Sequence, residues 1–337
     1  MSYALAAMIL AGASCRQPAT MEHLRGRALG AGFVIKYFPG NTKVTQEEIS
    51  SYLKDFFVDL QNKTSLYQER SELMDINGKD YAGQIRVSDT LGSLISYAQG
   101  LSLETGGYYD ITSGAISKLW NTGGMKKVRP VIPGEPEIEA TKKRMGYEKL
   151  RVGRDDKGYY IEKQIPRMII DLASITAGYA ADRIARYLLS QGIVNFMIDV
   201  GGEFRASGKN NSQDWLIGIE NPFDAEHAIF KTLRLKNRSM ATSGSYKNFI
   251  KKNDVRYSHI IDPHTGKPVE GSLVSVSVVQ DECMKADGLA TAIFAMGEKR
   301  GFEFARQKQI PVLMIVLNEK GNIEARTTSQ MDPFLAE

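Results

Sequence analysis

The stretch Met284–Ala292 reads Met-Lys-Ala-Asp-Gly-Leu-Ala-Thr-Ala and comes shortly after Leu273–Val279, whose alternating valines and serines predict a strand. The stretch itself is apolar and favours a helix, on which Asp287 and Thr291 would share one face. Carboxylate and hydroxyl oxygens are hard ligands that suit Mg²⁺ better than zinc or copper, and Mg²⁺ usually accompanies phosphate chemistry. The alternative is structural: Asp287 favours an early helical turn and Thr291 packs or bonds to the backbone.

In the rest of the chain, predicted strands and helices follow one another without the regular alternation of a TIM barrel. The sequence therefore predicts a mixed α+β body. A capping box formed by Thr45 and Glu48 opens a helix that continues to about Asn62. Further helices are predicted at about Ser88–Glu104, Tyr179–Ser190 and Lys299–Gln309. Further strands are predicted at Ala31–Tyr37, Met168–Asp171, Val194–Val200, Trp215–Ile219, Phe230–Leu235, Tyr257–Ile261 and Val312–Leu317. Three prolines predict an irregular excursion between Lys126 and Gly146.

Composition excludes several classes of protein. The 337 residues are 42% apolar and 24% charged, which is typical of a globular protein that folds without disulfides. The net charge of +4 is mild, and no block of Lys and Arg alternates with aromatic residues, so nucleic acid is not an expected partner. Cys15 and Cys283 are far apart and there are four histidines, which leaves neither a zinc cluster nor a redox pair.

The N-terminus resembles a lipoprotein signal. The apolar run Ala4–Ala13 ends in small residues just before Cys15, which would be the lipidated residue. No basic residue precedes the run, and the alternative is a disordered cytoplasmic N-terminus. The expected organisation is a leader over residues 1–20 and one domain over 21–337, anchored in the cell envelope on its extracytoplasmic side.

Glycines stand beside hydroxyl or acidic residues in four further segments. Each alone is typical of an ordinary turn, although the ends of strands in α/β sheets are also where ligands bind. Neither a P-loop motif nor the glycine fingerprint of dinucleotide-binding folds is present. Phosphates would therefore be held by a metal ion, loop amides and hydroxyls. The four segments that combine glycine with hydroxyl or acidic residues are 65–77, 106–112, 199–203 and 241–246.

Eight sequence blocks follow one another between about Gly26 and Gly297. They are Ser65-x-Tyr67-x-x-x-Ser71-Glu72 with Asn77; Gly107-x-x-Asp110-x-Thr112 with Leu119-Trp120; Asp171-Leu172 with Gly178-Tyr179-Ala180-Ala181-Asp182; Asp199-x-Gly201-Gly202-Glu203; Trp215-x-x-Gly218-Ile219 with Pro222; Ala241-Thr242-Ser243-Gly244 with Tyr246; His259-Ile260-Ile261-Asp262-Pro263 with Thr265-Gly266; and Ala286-Asp287-x-x-Ala290-Thr291-Ala292. Taken together and in this order, the blocks resemble the ApbE family, the Mg²⁺-dependent FAD:protein FMN transferases. The resemblance implies an α+β body related to the T-fold, with FAD in a cleft between two lobes.

The resemblance also implies a reaction, in which the pyrophosphate of FAD is cleaved, AMP leaves and the FMN phosphate is joined to a threonine or serine of an acceptor protein. Asp287 and Thr291 would bind Mg²⁺ together with a backbone carbonyl, assigned to Thr176. His259 and Asp287 would be the catalytic residues, with His259 taking the proton of the acceptor hydroxyl, although an isolated histidine in a strand is more often structural. Residues expected to bind the cofactor are Tyr67, by stacking on the flavin ring, and Asp110, Thr112, Asp182, Glu203, Thr242, Ser243, Gly244 and Asp262.

The chain departs from the family pattern at several positions, among them Ala177, where relatives usually carry Lys or Glu. None of the departures removes the Asp287–Thr291 pair. Two other functions stay open: an Mg²⁺-dependent FAD pyrophosphatase that gives FMN and AMP, and a non-catalytic FAD-binding lipoprotein. For the transferase, the resemblance implies an acceptor with an Asp-Gly-x-x-x-Ala-Thr motif, such as a subunit of a membrane redox complex.

Overall fold

The computed structural model describes residues 20–122, 132–224, 228–245, 249–252 and 255–336. Cys15 and Tyr246, which the sequence singled out, lie outside these ranges. The helices are α1 (Gln46–Thr64), α2 (Glu72–Asn77), α3 (Asp89–Glu104), α4 (Gly114–Leu119), α5 (Glu135–Lys142), α6 (Ala173–Ser190), α7 (Cys283–Ala295) and α8 (Gly297–Gln307). Short 3₁₀ turns occupy Tyr147–Lys149 and Ser329–Phe334.

The strands belong to one large sheet, one small sheet and three hairpin-like pairs. They are β1 (Glu22–Ala28), β2 (Ala31–Phe38), β3 (Gly83–Arg86), β4 (Leu150–Asp155), β5 (Gly158–Lys163), β6 (Asn195–Val200), β7 (Glu203–Ser207), β8 (Trp215–Glu220), β9 (Ile229–Leu235), β10 (Ser239–Gly244), β11 (Phe249–Lys252), β12 (Val255–Ser258), β13 (Ile261–Asp262), β14 (Lys267–Pro268), β15 (Leu273–Gln280), β16 (Val312–Leu317) and β17 (Ile323–Thr327).

An eight-stranded antiparallel sheet, in the order β1-β2-β6-β7-β10-β15-β16-β17, forms the centre of the fold. Successive side chains of a strand point to opposite faces, and two neighbours on β6 show how the faces are covered. Ile198 packs in a buried cluster with α1 and α6, whereas Met197 packs in a cluster with the β8–β9 pair. Helices therefore cover one face of the sheet and the β8–β9 pair covers the other.

A second layer is built from α3 and the three-stranded sheet β3-β5-β4. Its apolar side chains join those of α7 and β15 in the largest buried cluster, which includes Leu94, Ile161, Val276 and Leu289. Helix α7 is thus enclosed between the large sheet and the second layer, which explains why nearly every residue from Cys283 to Ala295 is buried. This α+β architecture confirms the fold class expected from the sequence.

Several local predictions are confirmed. Thr45 and Glu48 form the capping box of α1, and Ser88 caps α3. The predicted strand from Tyr257 to Ile261 is wrong as a single element, because β12 ends at Ser258 and β13 begins at Ile261. The predicted irregular excursion between Lys126 and Gly146 lies outside the described residues as far as residue 131, and it is wrong where α5 lies within its described part. Pro136 stands in the first turn of that helix, where a missing amide costs nothing.

The largest difference concerns α6, which begins at Ala173 and not at Tyr179. The sequence obscures this start, because Ile175, Thr176 and Gly178 all lower helix propensity and the residue at the N-cap, Leu172, has no capping side chain. The start is held by Asp171, whose Oδ1 accepts from the Ala173 amide at 2.9 Å. None of the helices in the described ranges combines the length and the apolar character needed to cross a bilayer.

Candidate active site

The candidate site is centred on the crossing of α6 and α7, where the two helices approach very closely. A Cβ atom at Gly178 would lie 2.6 Å from the carbonyl oxygen of Cys283 and 2.8 Å from the Cα of Met284. A Cβ atom at Gly288 would lie 2.3 Å from a methyl carbon of Leu101. At Gly178 the obstacle is backbone, so a side chain there would force α6 and α7 apart, whereas at Gly288 it is the end of the flexible Leu101 side chain, which can move. The close approach at Gly178 brings the backbone of α6 within reach of the side chains of α7.

Asp287 is a buried carboxylate in α7, only 7% exposed. Its Oδ2 accepts a hydrogen bond from the Gly178 amide at 3.2 Å, and Oδ1 accepts none from the described residues. Burial raises the pKa of Asp287 well above its usual range, and the nearby negative charges of Glu203 and Asp182 raise it further, against the lowering effect of the Gly178 amide. A carboxylate in such surroundings binds a cation favourably, because the cation offsets both the burial and the neighbouring negative charge.

Thr291 lies one turn further along the same face of α7, as the sequence predicts. Its Oγ1 is 3.1 Å from the Oγ of Ser243 on β10. Asp287, Thr291 and Ser243 thus present carboxylate and hydroxyl oxygens from two elements. Carboxylate and hydroxyl oxygens are a donor set that fits Mg²⁺. Among the described residues there is no group of three or more His, Cys, Asp or Glu side chains placed to hold a metal.

Thr176, the third predicted metal ligand, lies in the first turn of α6 and is 6% exposed. Its Oγ1 donates to the Leu172 carbonyl at 2.7 Å, so the hydroxyl is used within the helix. The sequence analysis assigned metal binding to the backbone carbonyl of Thr176, and that assignment stays a prediction.

Thr242 and Ser243 are both predicted to bind the cofactor, but the structure places their side chains on opposite faces of the sheet. Neighbours on a strand face opposite ways, so Ser243 faces α7 while Thr242 faces the side of the sheet covered by the β8–β9 pair. There the Thr242 hydroxyl lies 2.7 Å from that of Ser277. Gly244 pairs with Ser275 in the β10–β15 ladder. Of these three, only the Ser243 side chain joins Asp287 and Thr291.

Asp110 and Thr112, predicted to bind the cofactor, are occupied in organising the loop after α3. Asp110 Oδ1 accepts from the amide and the hydroxyl of Thr112, at 2.7 and 2.6 Å, and Oδ2 accepts from the Tyr147 amide at 3.1 Å. The Thr112 hydroxyl also accepts from the Gly146 amide at 2.7 Å. Burial raises the pKa of Asp110, partly offset by the bonds from Thr112. These contacts account for both side chains without a ligand.

Three further predicted residues lie around the crossing or at the neighbouring β13–β14 turn. Asp182 accepts from the amides of Cys283 and Met284, each at 2.9 Å. Glu203 begins β7, and its charge reaches Asp287. Asp262 Oδ1 accepts from the His264 amide at 2.9 Å, which fixes the turn between β13 and β14.

The sequence did not single out Tyr109, Ser174 and Asp171 as site residues, although Asp171 stood in a matched block. Ser174 Oγ donates to the Tyr109 hydroxyl at 3.1 Å. Burial raises the pKa of Tyr109 well above its usual range, and the charges of Asp287 and Asp171 contribute. Tyr109 therefore lies within electrostatic reach of both carboxylates, and the site extends from α7 to the start of α6.

Tyr67 is 55% exposed. Partial burial raises its pKa, and the negative charge of Asp171 raises it further, so Tyr67 lies on the Asp171 side of the site. His259 lies between β12 and β13 and is half-buried, flanked by buried Ser258 and Ile260.

Comparison with known proteins decides the family. The ApbE family profile matches residues 29–314. The chain belongs to the ApbE family. An FAD:protein FMN transferase of Vibrio cholerae is 38% identical over 339 residues, which cover 99% of this chain and 98% of that protein. An FAD:protein FMN transferase of Escherichia coli is 32% identical over 273 residues, 80% of this chain and 77% of that protein.

Solved ApbE structures have the same architecture. The flavin transferase ApbE from Vibrio cholerae superimposes with a TM-score of 0.84 at 35% identity, covering 94% of this chain and 100% of that chain. The apo form of the Pseudomonas stutzeri flavinyl transferase ApbE gives a TM-score of 0.85 at 25% identity, covering 95% of this chain and 98% of that chain. The α+β body described above is therefore the ApbE fold, and the family inferred from eight sequence blocks is confirmed.

Proposed function

We propose that this ApbE-family chain is an Mg²⁺-dependent FAD:protein FMN transferase. The observation that carries the proposal is the buried Asp287 carboxylate beside the hydroxyls of Thr291 and Ser243, at the crossing of α6 and α7. The proposal is supported by similarity to an FAD:protein FMN transferase whose alignment covers nearly the whole chain. Enzyme class and flavin substrate follow from the family, while the metal, the acceptor and the individual residue roles are the proposal.

In the proposed reaction, the acceptor hydroxyl oxygen attacks the FMN phosphorus of FAD. A new P–O bond to the acceptor forms, the P–O bond of the pyrophosphate bridge breaks, and AMP leaves with the bonding electrons. Bound Mg²⁺ would neutralise charge on the phosphate oxygens during this displacement. Asp287, Thr291 and the backbone carbonyl of Thr176 would hold the ion, and Asp287 would be ionised in that state, because a divalent cation favours the charged carboxylate.

The flavin would lie against the exposed ring of Tyr67, since a large aromatic face on the surface is a favourable apolar contact for an isoalloxazine ring. Ser243, whose hydroxyl already reaches Thr291, would contact the phosphates from the sheet side. His259 would take the proton of the acceptor hydroxyl, because a neutral imidazole can act as a general base.

The acceptor would be a protein with an Asp-Gly-x-x-x-Ala-Thr motif, such as a subunit of a membrane redox complex. The enzyme itself would be held in the cell envelope by lipid on Cys15, facing the extracytoplasmic side. The apolar run Ala4–Ala13 before that cysteine supports the lipoprotein assignment. Labelling cells with a palmitate analogue tests it: the parent chain should carry the label and Cys15→Ala should not.

Mass spectrometry of an acceptor peptide tests the reaction. The purified chain, FAD and Mg²⁺ are incubated with a peptide that carries the motif, and the expected result is a gain of the mass of FMN less one water on its threonine, together with AMP release. Asp287→Ala should abolish both, whereas Asp281→Ala should not, because Asp281 is an exposed carboxylate just before α7 that pairs with Arg238. AMP and free FMN without a modified peptide would favour the pyrophosphatase, and intact bound FAD would favour the non-catalytic flavin-binding protein.

A further inference from the structure

Helix α7 begins without a cap of its own. The residue at its N-cap, Glu282, makes no capping hydrogen bond through its side chain, and no acidic residue stands in the first turn. The first amides of a helix need partners from outside the helix, especially where the helix end is buried. For α7 the partner comes from α6: Asp182 Oδ1 accepts from the Cys283 amide and Oδ2 from the Met284 amide, both at 2.9 Å.

In the hydrogen bond between Gly178 and Asp287 the donor and acceptor helices are exchanged, because the amide belongs to α6 and the carboxylate to α7. A carboxylate of α6 binds amides of α7, and a carboxylate of α7 binds an amide of α6. Each pair of contacts is spaced four residues apart, at 178 and 182 on α6 and at 283 and 287 on α7, which is one helical turn. We call these contacts the α6–α7 clamp; because they lie one turn apart, they fix both the rotation and the axial position of α7.

Asp182 is 5% exposed, and each of its oxygens already accepts from an amide of α7. Burial raises the pKa of Asp182, while the two amides and the nearby Arg205 lower it. Because Asp182 is buried, it offers little accessible surface to a flavin dinucleotide. Its contacts go instead to the helix that presents Asp287 and Thr291.

We infer that Asp182 is a positioning residue, which caps α7 from α6 and thereby orients Asp287 and Thr291 toward the metal, and that it does not bind the cofactor. The part of this inference that concerns the metal rests on the proposed function, whereas the part that concerns the contacts of the clamp does not. Without Asp182 the first turn of α7 loses the partners of two amides, the buried one of Cys283 and the part-buried one of Met284, so the turn that leads to Asp287 frays. Loss of a partner that orients a metal ligand typically weakens metal binding about 10–100-fold.

Three measurements on the full chain test the inference with Asp182→Ala and the nearly isosteric Asp182→Asn. The first is amide hydrogen exchange over residues 283–287, which should accelerate in both variants. The second is FAD binding without added metal, followed by flavin fluorescence, which should match the parent. The third is the Mg²⁺ concentration that gives half-maximal AMP release, which should rise at least roughly 10-fold in Asp182→Ala. Arg183→Ala, an exposed neighbour on α6, is the control and should match the parent in all three.

Weakened FAD binding, with exchange over 283–287 and the Mg²⁺ requirement unchanged, would overturn the inference and make Asp182 a cofactor ligand. If Asp182→Ala does not fold, Asp182→Asn carries the test, because its amide oxygen can still accept one of the two bonds. If the parent chain releases no AMP, the proposed function fails, but hydrogen exchange and FAD binding still decide the role of Asp182.

Discussion

The amide of Gly178 lies 3.2 Å from Oδ2 of Asp287, across a helix crossing that leaves no room for a side chain on Gly178. The close approach of α6 to α7 and the position of the buried carboxylate are therefore one structural feature. A small change in the packing of these helices should move the carboxylate and should be detectable in function.

Gly178→Ala is the most direct test of this relationship. The new methyl group would lie 2.6 Å from a backbone oxygen of α7, and backbone cannot move aside as a flexible side chain can. We expect α7 to be displaced, AMP release to fall strongly and the free energy of unfolding to drop by about 1–3 kcal/mol, as is usual for overpacking. Thermal unfolding and the AMP assay measure the two effects.

Gly100→Ala is the matched control, because Gly100 is also a helical glycine, in α3, and a Cβ atom there meets nothing within 4 Å. It should keep full activity and gain about 0.5–1 kcal/mol from the better helix propensity of alanine. Wild-type activity in Gly178→Ala would contradict the view that the crossing positions Asp287.

The hydroxyl of Thr291 provides a second prediction, because it can be removed with little change of shape. Thr291→Val should raise the Mg²⁺ concentration needed for half-maximal AMP release, while Thr291→Ser, which keeps the hydroxyl, should restore the lower requirement. The reason is that a methyl group cannot bind a hard cation or the Ser243 hydroxyl, which now lies 3.1 Å away. Titration of the rate with Mg²⁺ separates these variants.

Thr242→Val distinguishes the two faces of the sheet. Thr242 bonds Ser277 on the side away from α7, so its hydroxyl should not affect the Mg²⁺ requirement. A shift as large as that of Thr291→Val would mean that β10 presents both hydroxyls to the ligand, and would favour the cofactor role expected from the sequence alone.

The sequence predicted those parts of the fold that depend on local signals. The capping box of α1, the Ser88 cap of α3 and the alternating strand that became β15 are each encoded within a few residues, and each is confirmed. The start of α6 was missed because its cap is the Asp171 side chain bonded to Ala173, beyond the N-cap position, and because its first turn has weak helix formers.

In the site, the sequence predicted that Asp287 and Thr291 share a helical face, since spacing alone determines it. It did not predict which matched residues face the site, because that depends on tertiary contacts. Asp182 bonds the start of α7 and Asp110 bonds its own loop, and only the packed structure gives these partners. Tyr109 was missed because it is an ordinary buried tyrosine in sequence, and only packing brings it near Asp171 and Asp287.

Tyr67 offers a prediction on flavin binding. Tyr67→Ala should weaken FAD binding, because it removes an aromatic face that is 55% exposed beside Asp171, while Tyr67→Phe should bind FAD like the parent. Flavin fluorescence titration measures the affinity. Tyr81→Ala, which removes another exposed tyrosine, 48% exposed and not part of any matched block, should leave the affinity unchanged.

Equal affinity in Tyr67→Ala and the parent would show that the ring does not stack on the flavin. Weakening in Tyr67→Phe to the same extent as in Tyr67→Ala would instead assign the effect to the hydroxyl group.

Cys283 allows the packing at the start of α7 to be measured chemically. Its thiol is fully buried and donates to the Phe204 carbonyl at 3.4 Å. Burial raises the pKa of the Cys283 thiol well above its usual range, and the charges of Asp182, Asp287 and Glu203 raise it further. Because the thiolate is the reactive form, Cys283 in a Cys15→Ser background should resist a thiol reagent at about pH 8 and react readily after unfolding.

The same pKa shift sets the direction of a pH effect on stability. Below the ordinary thiol pKa of about 8.5, Cys283 is neutral in both the folded and the unfolded state and imposes no cost. As the pH rises above that value, the unfolded chain releases the thiol proton while the folded chain retains it, so the free energy of unfolding should fall. Cys283→Ala should reduce this loss. Denaturant unfolding of both proteins between about pH 8 and 10 measures the difference, and parallel curves would show that the thiol ionises equally well in the folded protein.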